Sequence, residues 1–351
     1  MSRVPAGLRP GGEYDAFVAR LAAEDRFSGN VLVMHDGRPV LERSHGMADK
    51  ARGRPNTADT RFDLASITKI FTAVAAVQLV QQGKVALHET LGTYLDGFPS
   101  EIAGTVTVHH LLTHTSGLGG TGVAHQDADS VEEVWNQAMD GVRSAPPLFT
   151  PGTRFEYSNS GYLVLGAIVA AAGGDGTGQA YFDYVERNVF DRAGMRRTGF
   201  FTRPQVLAAD DIARRYATDR QNGGRHEARP WVIGLPNHGA YATLRDLATF
   251  IAALYDGTLL DAGHSALLTG AKTAVPPSVK PDLARDVMFY GYGVFHTILN
   301  RRTLVGHSGS TAGVANMLDH FPGSGWFSAV VSNYDDPVEP IVNLGRRLIT
   351  R

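Results

Sequence analysis

The chain has 351 residues, 43% hydrophobic, 19% charged and 9% aromatic, which is an ordinary globular composition with room for about two domains or one large composite one. The net charge is −2, from 33 basic against 35 acidic residues, and no block of like charges occurs, which argues against a nucleic-acid partner. There is no run of about eighteen apolar residues, which argues against a membrane span, and with no cysteine the disulfide, thiolate-metal, iron–sulfur and thiol-nucleophile classes are excluded.

The N-terminal segment has no apolar core of the secretory type. Together with the Met1-Ser2 start, this leads us to expect a cytoplasmic protein. Residues 14–25 (YDAFVARLAAED) read as an amphipathic helix, with Phe17, Val18, Leu21 and Ala22 on its apolar side. Two apolar runs then flank Asp36-Gly37, the signature of a tight hairpin. Residues 66–82 (SITKIFTAVAAVQLVQQ) carry apolar side chains on almost every side, which predicts a buried helix stopped by Gly83. A second apolar helix is predicted over 161–172.

Between 84 and 244 the pattern is mostly helix and loop. Within it, 200–240 is rich in Arg, Asp, Gly and Pro and reads either as a plain surface loop or as a lid that shapes a substrate pocket. From about 286 the pattern changes, with strands expected over 288–299, 302–307, 312–321 and 325–333 and a closing amphipathic helix in VEPIVNLGRRLIT. Strands at both ends and helices between them indicate an α/β (α+β) architecture. One sheet is built from 1–65 and 245–351, covered by terminal helices. A mostly helical domain, 66–244, is inserted into it, and the active site lies between the two.

Ser66 and Lys69 form the one S-x-x-K pair in the chain. Residues three apart are neighbours on a helix. A serine needs an adjacent base to act as a nucleophile, and a lysine can serve once burial lowers its pKa. A helix N-terminus also offers free N–H groups to a developing oxyanion. Taken alone, the pair fits equally well an N-cap serine beside a snorkelling lysine. Tyr157 and Asn159 stand two apart just before the second apolar helix, so in an extended loop both face one side. A packed tyrosine with a helix-capping Asn fits the same residues. The run His307-Ser308-Gly309-Ser310-Thr311 lies at the end of a predicted strand, where a small-residue strand edge lets a substrate approach the backbone. It also fits an ordinary turn.

The order and separation of these three motifs resemble the serine β-lactamase and penicillin-binding superfamily. More narrowly, they resemble its class C-like group of D-Ala-D-Ala carboxypeptidases, D-aminopeptidases and β-lactamase-like esterases. FDLASITK at 62–69, LLTHTSGL at 111–118, PGTRFEYSNSGYLVLG at 151–166 and HGAYATLRDLATF at 238–250 carry the likeness further. The resemblance implies an antiparallel sheet and a serine hydrolase acting through an acyl-enzyme on a small ester or amide. An acyltransferase using the same acyl-enzyme, or a true β-lactamase, are the alternatives. It implies Ser66 as nucleophile, Lys69 as its activating amine and Tyr157 as the general base that passes the proton to the leaving group. Asn159 would contact Lys69 and the substrate. Gly309 would lie along the substrate-binding strand, and the N–H groups of Ser66 and Ser310 would form the oxyanion hole. His307 stands where class C β-lactamases carry lysine, and Ala65 stands where the family usually has glycine.

No cofactor or metal is expected. His110 and His114 have helical spacing for zinc, but a third ligand and an H-E-x-x-H context are missing, and 113–117 reads as a turn. GHSGS at 306–310 falls short of a G-x-S-x-G elbow.

Overall fold

The computed structural model describes residues 4–121, 128, 130–219 and 221–351. Among these, eight strands form one antiparallel sheet: β1 (Gly29–His35), β2 (Arg38–His45), β3 (Thr273–Ala274), β4 (Val287–Tyr290), β5 (Phe295–Leu299), β6 (Arg302–Thr311), β7 (Val314–Phe321) and β8 (Trp326–Ser332). Their order across the sheet is β3-β4-β5-β6-β7-β8-β1-β2. The two ends of the chain therefore meet at the β8–β1 pair. The longer helices that cover the sheet are α1 (Glu13–Ala23), α2 (Thr68–Gln81), α3 (Asn159–Gly173), α4 (Leu244–Tyr255) and α5 (Glu339–Thr350).

Alternation along the strands decides which helices each face receives. Val31, Val33, Met317 and Val330 point to the side where Tyr14 and Val18 of α1 and Ile341 and Leu348 of α5 pack. Their neighbours Leu32, Leu318, Phe327 and Ala329 point to the other side, into the core shared with α2, α3 and α4. The register supports this, since Leu32 stands opposite Ala329 and Val31 opposite Val330. Asp36 and Gly37, with φ of 50° and 73°, make the expected two-residue hairpin between β1 and β2.

Helix α2 is buried along nearly its whole length, from Thr68 to Leu79. It ends where expected. Gly83 has φ 69°, its N–H donates to Val80 O at 2.9 Å, and that of Lys84 donates to Leu79 O at 2.9 Å. This is a Schellman stop that glycine adopts without strain. Among the described residues no helix is long and apolar enough to cross a membrane.

Three expectations need correction. The strand expected over 288–299 is two strands, β4 and β5, joined by a turn closed by Gly291 N–H on Val294 O at 2.8 Å. At Gly293, φ 76°, a Cβ would stand 2.5 Å from that of Ala73, so α2 passes too close for any side chain there. Second, the strand expected over 302–307 runs on to Thr311, so His307–Thr311 is the strand edge and the alternative of an ordinary turn falls. Third, 200–240 is not a plain surface loop. It holds a short helix (Arg203–Ala208) and a hairpin (Arg215–Thr218 with Arg225–Ala228), and it buries Arg214, Arg215, Asn237 and His238. Residue 220 of that stretch, and 122–127 and 129 of the longer 84–244 stretch, lie outside the described residues.

Candidate active site

The turn that carries Ser66 is held from three sides. Phe62–Asp63 pairs with Ala240–Ala242. The Asp63 carboxylate, fully buried, accepts from Ala65 N–H at 2.8 Å and from Trp231 Nε1 at 3.1 Å, and Arg215 Nη1 lies 3.3 Å from it. The Asp63 main-chain oxygen accepts from Asn316 Nδ2 on β7 at 2.9 Å. Ala65 is thereby kept at φ 45°, the left-handed region, which explains why glycine is the common residue there in the resembled family. Ser66 follows in a single 3-10 turn, Ala65–Ile67, that leads into α2. Gly309 of β6 presses on this turn, where a Cβ would come within 2.2 Å of Leu64 O.

Lys69, the second residue of α2, lies one turn beyond Ser66 and is 0% exposed. Its Nζ lies 3.0 Å from Ser66 Oγ, 2.8 Å from Asn159 Oδ1 and 2.7 Å from the main-chain oxygen of Asn237. Among the described residues no carboxylate pairs with it. Burial pushes its pKa well below the ordinary lysine value. The two carbonyl oxygens can only accept. A neutral lysine amine satisfies both with its two N–H bonds and leaves its lone pair for the Ser66 hydroxyl, so the arrangement can take a proton from that oxygen.

Tyr157 lies on the loop before α3, and Asn159 is the first residue of that helix. Ser158 caps that helix, its Oγ accepting from Gly161 N–H at 3.1 Å, which frees the Asn159 side chain for Lys69. Asn237 closes the far side by donating from Nδ2 to Asn159 O at 3.2 Å. The Tyr157 ring centroid is 4.9 Å from Lys69 Nζ, and at 36% exposed its side chain is far more open than that of Lys69. Desolvation raises its pKa, and interaction with the Ser66 side chain pulls it down.

On β6 the hairpin register settles which groups face the open edge. Leu299 pairs with Arg302 and Thr311 with Val314 across two-residue turns, so the odd residues of β6 bond to β7 and the even ones face β5. Pairing with β5 ends at Phe295 and Gly306. The N–H groups of Ser308 and Ser310 therefore point to an edge that no strand among the described residues covers. His307, 1% exposed, sits on the opposite tack. Its Nδ1 lies 2.6 Å from Ser308 O and must donate, and its Nε2 lies 3.0 Å from the Tyr290 hydroxyl and accepts from it. Burial, the largest cause, pushes its pKa down to about 3, so the ring is neutral at pH 7.

The structure thus brings Ser66, Lys69, Tyr157, Asn159, His307, Gly309 and Ser310 into one region. His110 and His114 do not share a helical face, because the helix ends at Leu112 and His114 has φ 59°. His110 instead accepts from Thr107 N–H at 3.2 Å as part of a capping box. Among the described residues no group of three His, Cys, Asp or Glu could hold a metal ion. Sequence reasoning passed over Asp63, Asn237 and Tyr290. Asp63 and Asn237 fall in or beside FDLASITK and HGAYATL, but Asn237 acts mainly through a main-chain oxygen, which no side-chain motif announces.

A serine at the head of a helix, a buried lysine with no carboxylate partner among the described residues and an open strand edge thus meet on a mixed α/β scaffold. The chain matches the Beta-lactamase family over residues 15–349 and belongs to it. It is 27% identical over 321 residues to penicillin-binding protein 4* of Bacillus subtilis (strain 168), covering 85% of this chain and 66% of that one. It is 36% identical over 202 residues to esterase EstB of Burkholderia gladioli, covering 53% and 50%. The chain thus spans between half and two thirds of these curated relatives. Against the crystal structure of a penicillin binding protein from Bacillus halodurans the TM-score is 0.79 at 30% identity, with 94% of this chain and 98% of that one covered.

Proposed function

We propose that the protein is a serine hydrolase of the class C-like group, acting through an acyl-enzyme on a small ester or amide. The observation that carries this reading is the Lys69 amine, buried without a carboxylate and set 3.0 Å from Ser66 Oγ. Ser66 Oγ attacks the substrate carbonyl while its proton passes to the Lys69–Tyr157 pair. Tyr157, the open member, returns a proton to the leaving group. The N–H groups of Ser66 and Ser310 hold the oxyanion. Asn159 keeps Lys69 aimed, and Gly309 keeps β6 close to the nucleophile. Water then enters by the same proton path. This reading takes 1–65 with 245–351 as a sheet domain and 66–244 as a mostly helical one, with the chemistry at their junction. The esterase named among the relatives supports an ester substrate.

His307 argues for esters over β-lactams. A neutral ring with both nitrogens engaged offers no charge to a substrate carboxylate, whereas a lysine in its place would. A short-chain p-nitrophenyl ester should therefore be turned over at least about tenfold faster by kcat/KM than nitrocefin, a margin of about 1.4 kcal/mol. Faster nitrocefin hydrolysis would move the assignment to β-lactamase. The mechanism itself is tested by intact mass after a fluorophosphonate. One adduct on the peptide containing Ser66 is expected, and its persistence in Ser66→Ala would overturn the reading. Adding alcohol or amine acceptors to the ester assay separates hydrolysis from acyl transfer.

A further inference from the structure

We propose that His114 is a positioning residue that holds Tyr157 in register with Ser66 and Lys69. The inference rests on the role given to Tyr157 above. The two residues that flank Tyr157 both donate their N–H groups to this one residue. Glu156 N–H donates to His114 O at 2.8 Å, and Ser158 N–H donates to His114 Nδ1 at 3.0 Å. Between those two anchors the imidazole lies against the Tyr157 ring, centroid to centroid 4.2 Å at 36°. Main chain before, main chain after and ring face are thus all contacted by His114, and among the described residues no other residue does all three.

His114 is itself fixed. It is 1% exposed, and its ring is enclosed by Tyr162 and Tyr290 at 5.0 and 4.5 Å. An Nδ1 that accepts from Ser158 requires the tautomer with the proton on Nε2. That Nε2 is buried with no hydrogen-bond partner among the described residues. For packing alone a phenyl ring would serve better here, because it buries no unsatisfied N–H. What phenyl lacks is the acceptor for Ser158. The charged and titratable groups that face the imidazole are Lys69, His307, Tyr157, Tyr162 and Tyr290. Burial is the main cause that holds the His114 pKa well below its ordinary value. Protonation would place a hydrogen on Nδ1 against the Ser158 N–H, so neutrality and the anchoring bond support each other.

A double-mutant cycle on ester hydrolysis tests this. His114→Phe should lower kcat by about 10–100-fold with KM within about twofold, the scale expected when a reacting group is displaced by a fraction of an ångström. In a Tyr157→Phe background the same substitution should cost less than about threefold, because the group it positions is gone. His114→Asn tolerates the left-handed backbone and keeps an acceptor oxygen near the Nδ1 position, so it should recover part of the loss. Equal losses in both backgrounds would mean that His114 supports the fold generally, and would overturn the proposal. If Tyr157→Phe alone leaves the rate unchanged, the reading of Tyr157 falls and this inference with it, an outcome distinct from the first. Nitrogen-15 NMR of the unmutated protein supplies a check independent of variant folding. His114 should show the Nε2–H tautomer and no titration down to pH 5. The opposite tautomer, or titration above pH 6, would overturn the proposal.

Discussion

Lys69 and Arg346 are both long cationic side chains taken out of water, at 0% and 4% exposed, yet their surroundings are opposite. Arg346 lies on α5 against β7, where its Nε and Nη2 meet the two oxygens of Asp319 at 2.7 and 2.8 Å and its Nη1 donates to Ala284 O at 3.0 Å. It has a full bidentate counter-charge. Lys69 meets only neutral oxygens, from Ser66, Asn159 and Asn237. A buried charge with a matched partner stays charged and ties two elements together. A buried amine without one holds its proton less tightly. The first arrangement holds the terminal helix to the sheet, and the second suits the base proposed above.

The largest effect that would break this contrast is at Lys69. Lys69→Met should lower kcat for an ester by about 10²–10⁴-fold, the range of a lost general base. Adding Tyr157→Phe should make matters little worse if the two act as one proton-transfer unit. Stability should move the other way. The folded pKa of Lys69 is depressed, so between that value and its ordinary 10.5 the unfolded chain binds more protons than the folded one. Stability then rises with pH through that window and is lost as pH falls through it. Urea unfolding should find Lys69→Met more stable than the parent at pH 7, with the difference shrinking toward pH 10.5. A variant less stable at pH 7 would mean that Lys69 is charged and structurally engaged, like Arg346.

The second effect is its mirror image. Asp319→Asn leaves the Arg346 guanidinium buried without its counter-charge, which should cost about 3–5 kcal/mol of stability in the same urea experiment. The kcat for the ester should stay within about twofold, since α5 packs on the face of the sheet away from Ser66. A large loss of kcat with little loss of stability would show that the two faces of the sheet are coupled.

The sequence disclosed the site unevenly, and the reasons are physical. Ser66, Lys69, Tyr157 and Asn159 were legible because their chemistry lies in side chains at fixed local spacing. The buried α2 and its Gly83 stop were legible because apolar pattern and a C-terminal glycine are local signals too. The Asp36-Gly37 hairpin was legible on the same ground. What was not legible depends on chain segments far apart. Asn237 reaches Lys69 through a main-chain oxygen across 168 positions. His114 looked like part of a polar turn because its two anchors, Glu156 and Ser158, lie more than forty residues away. The break between β4 and β5 had a signal in Gly291 and Gly293, but an unbroken apolar run around them hid it. That the His307 ring is neutral follows from its burial beside Tyr290, which spacing does not reveal.

The smallest effect sharpens the contrast at the backbone. Ala65 is held at φ 45° by Asp63, whose carboxylate takes its N–H at 2.8 Å while Asn316 fixes the Asp63 oxygen at 2.9 Å. A left-handed conformation costs an L-residue about 1–2 kcal/mol. Glycine removes that cost but gives the unfolded chain more freedom, worth about 0.4–1 kcal/mol against folding. The difference predicts that Ala65→Gly stabilises the protein by up to about 1 kcal/mol, with the rate of fluorophosphonate labelling at Ser66 little changed because Asp63 and Asn316 still set the turn. The site region would then be strained in its main chain as well as in its unpaired lysine, whereas α5 gains from the pairing of Arg346. Loss of stability on Ala65→Gly would show instead that the turn rests comfortably as alanine, and that Lys69 alone distinguishes the two regions.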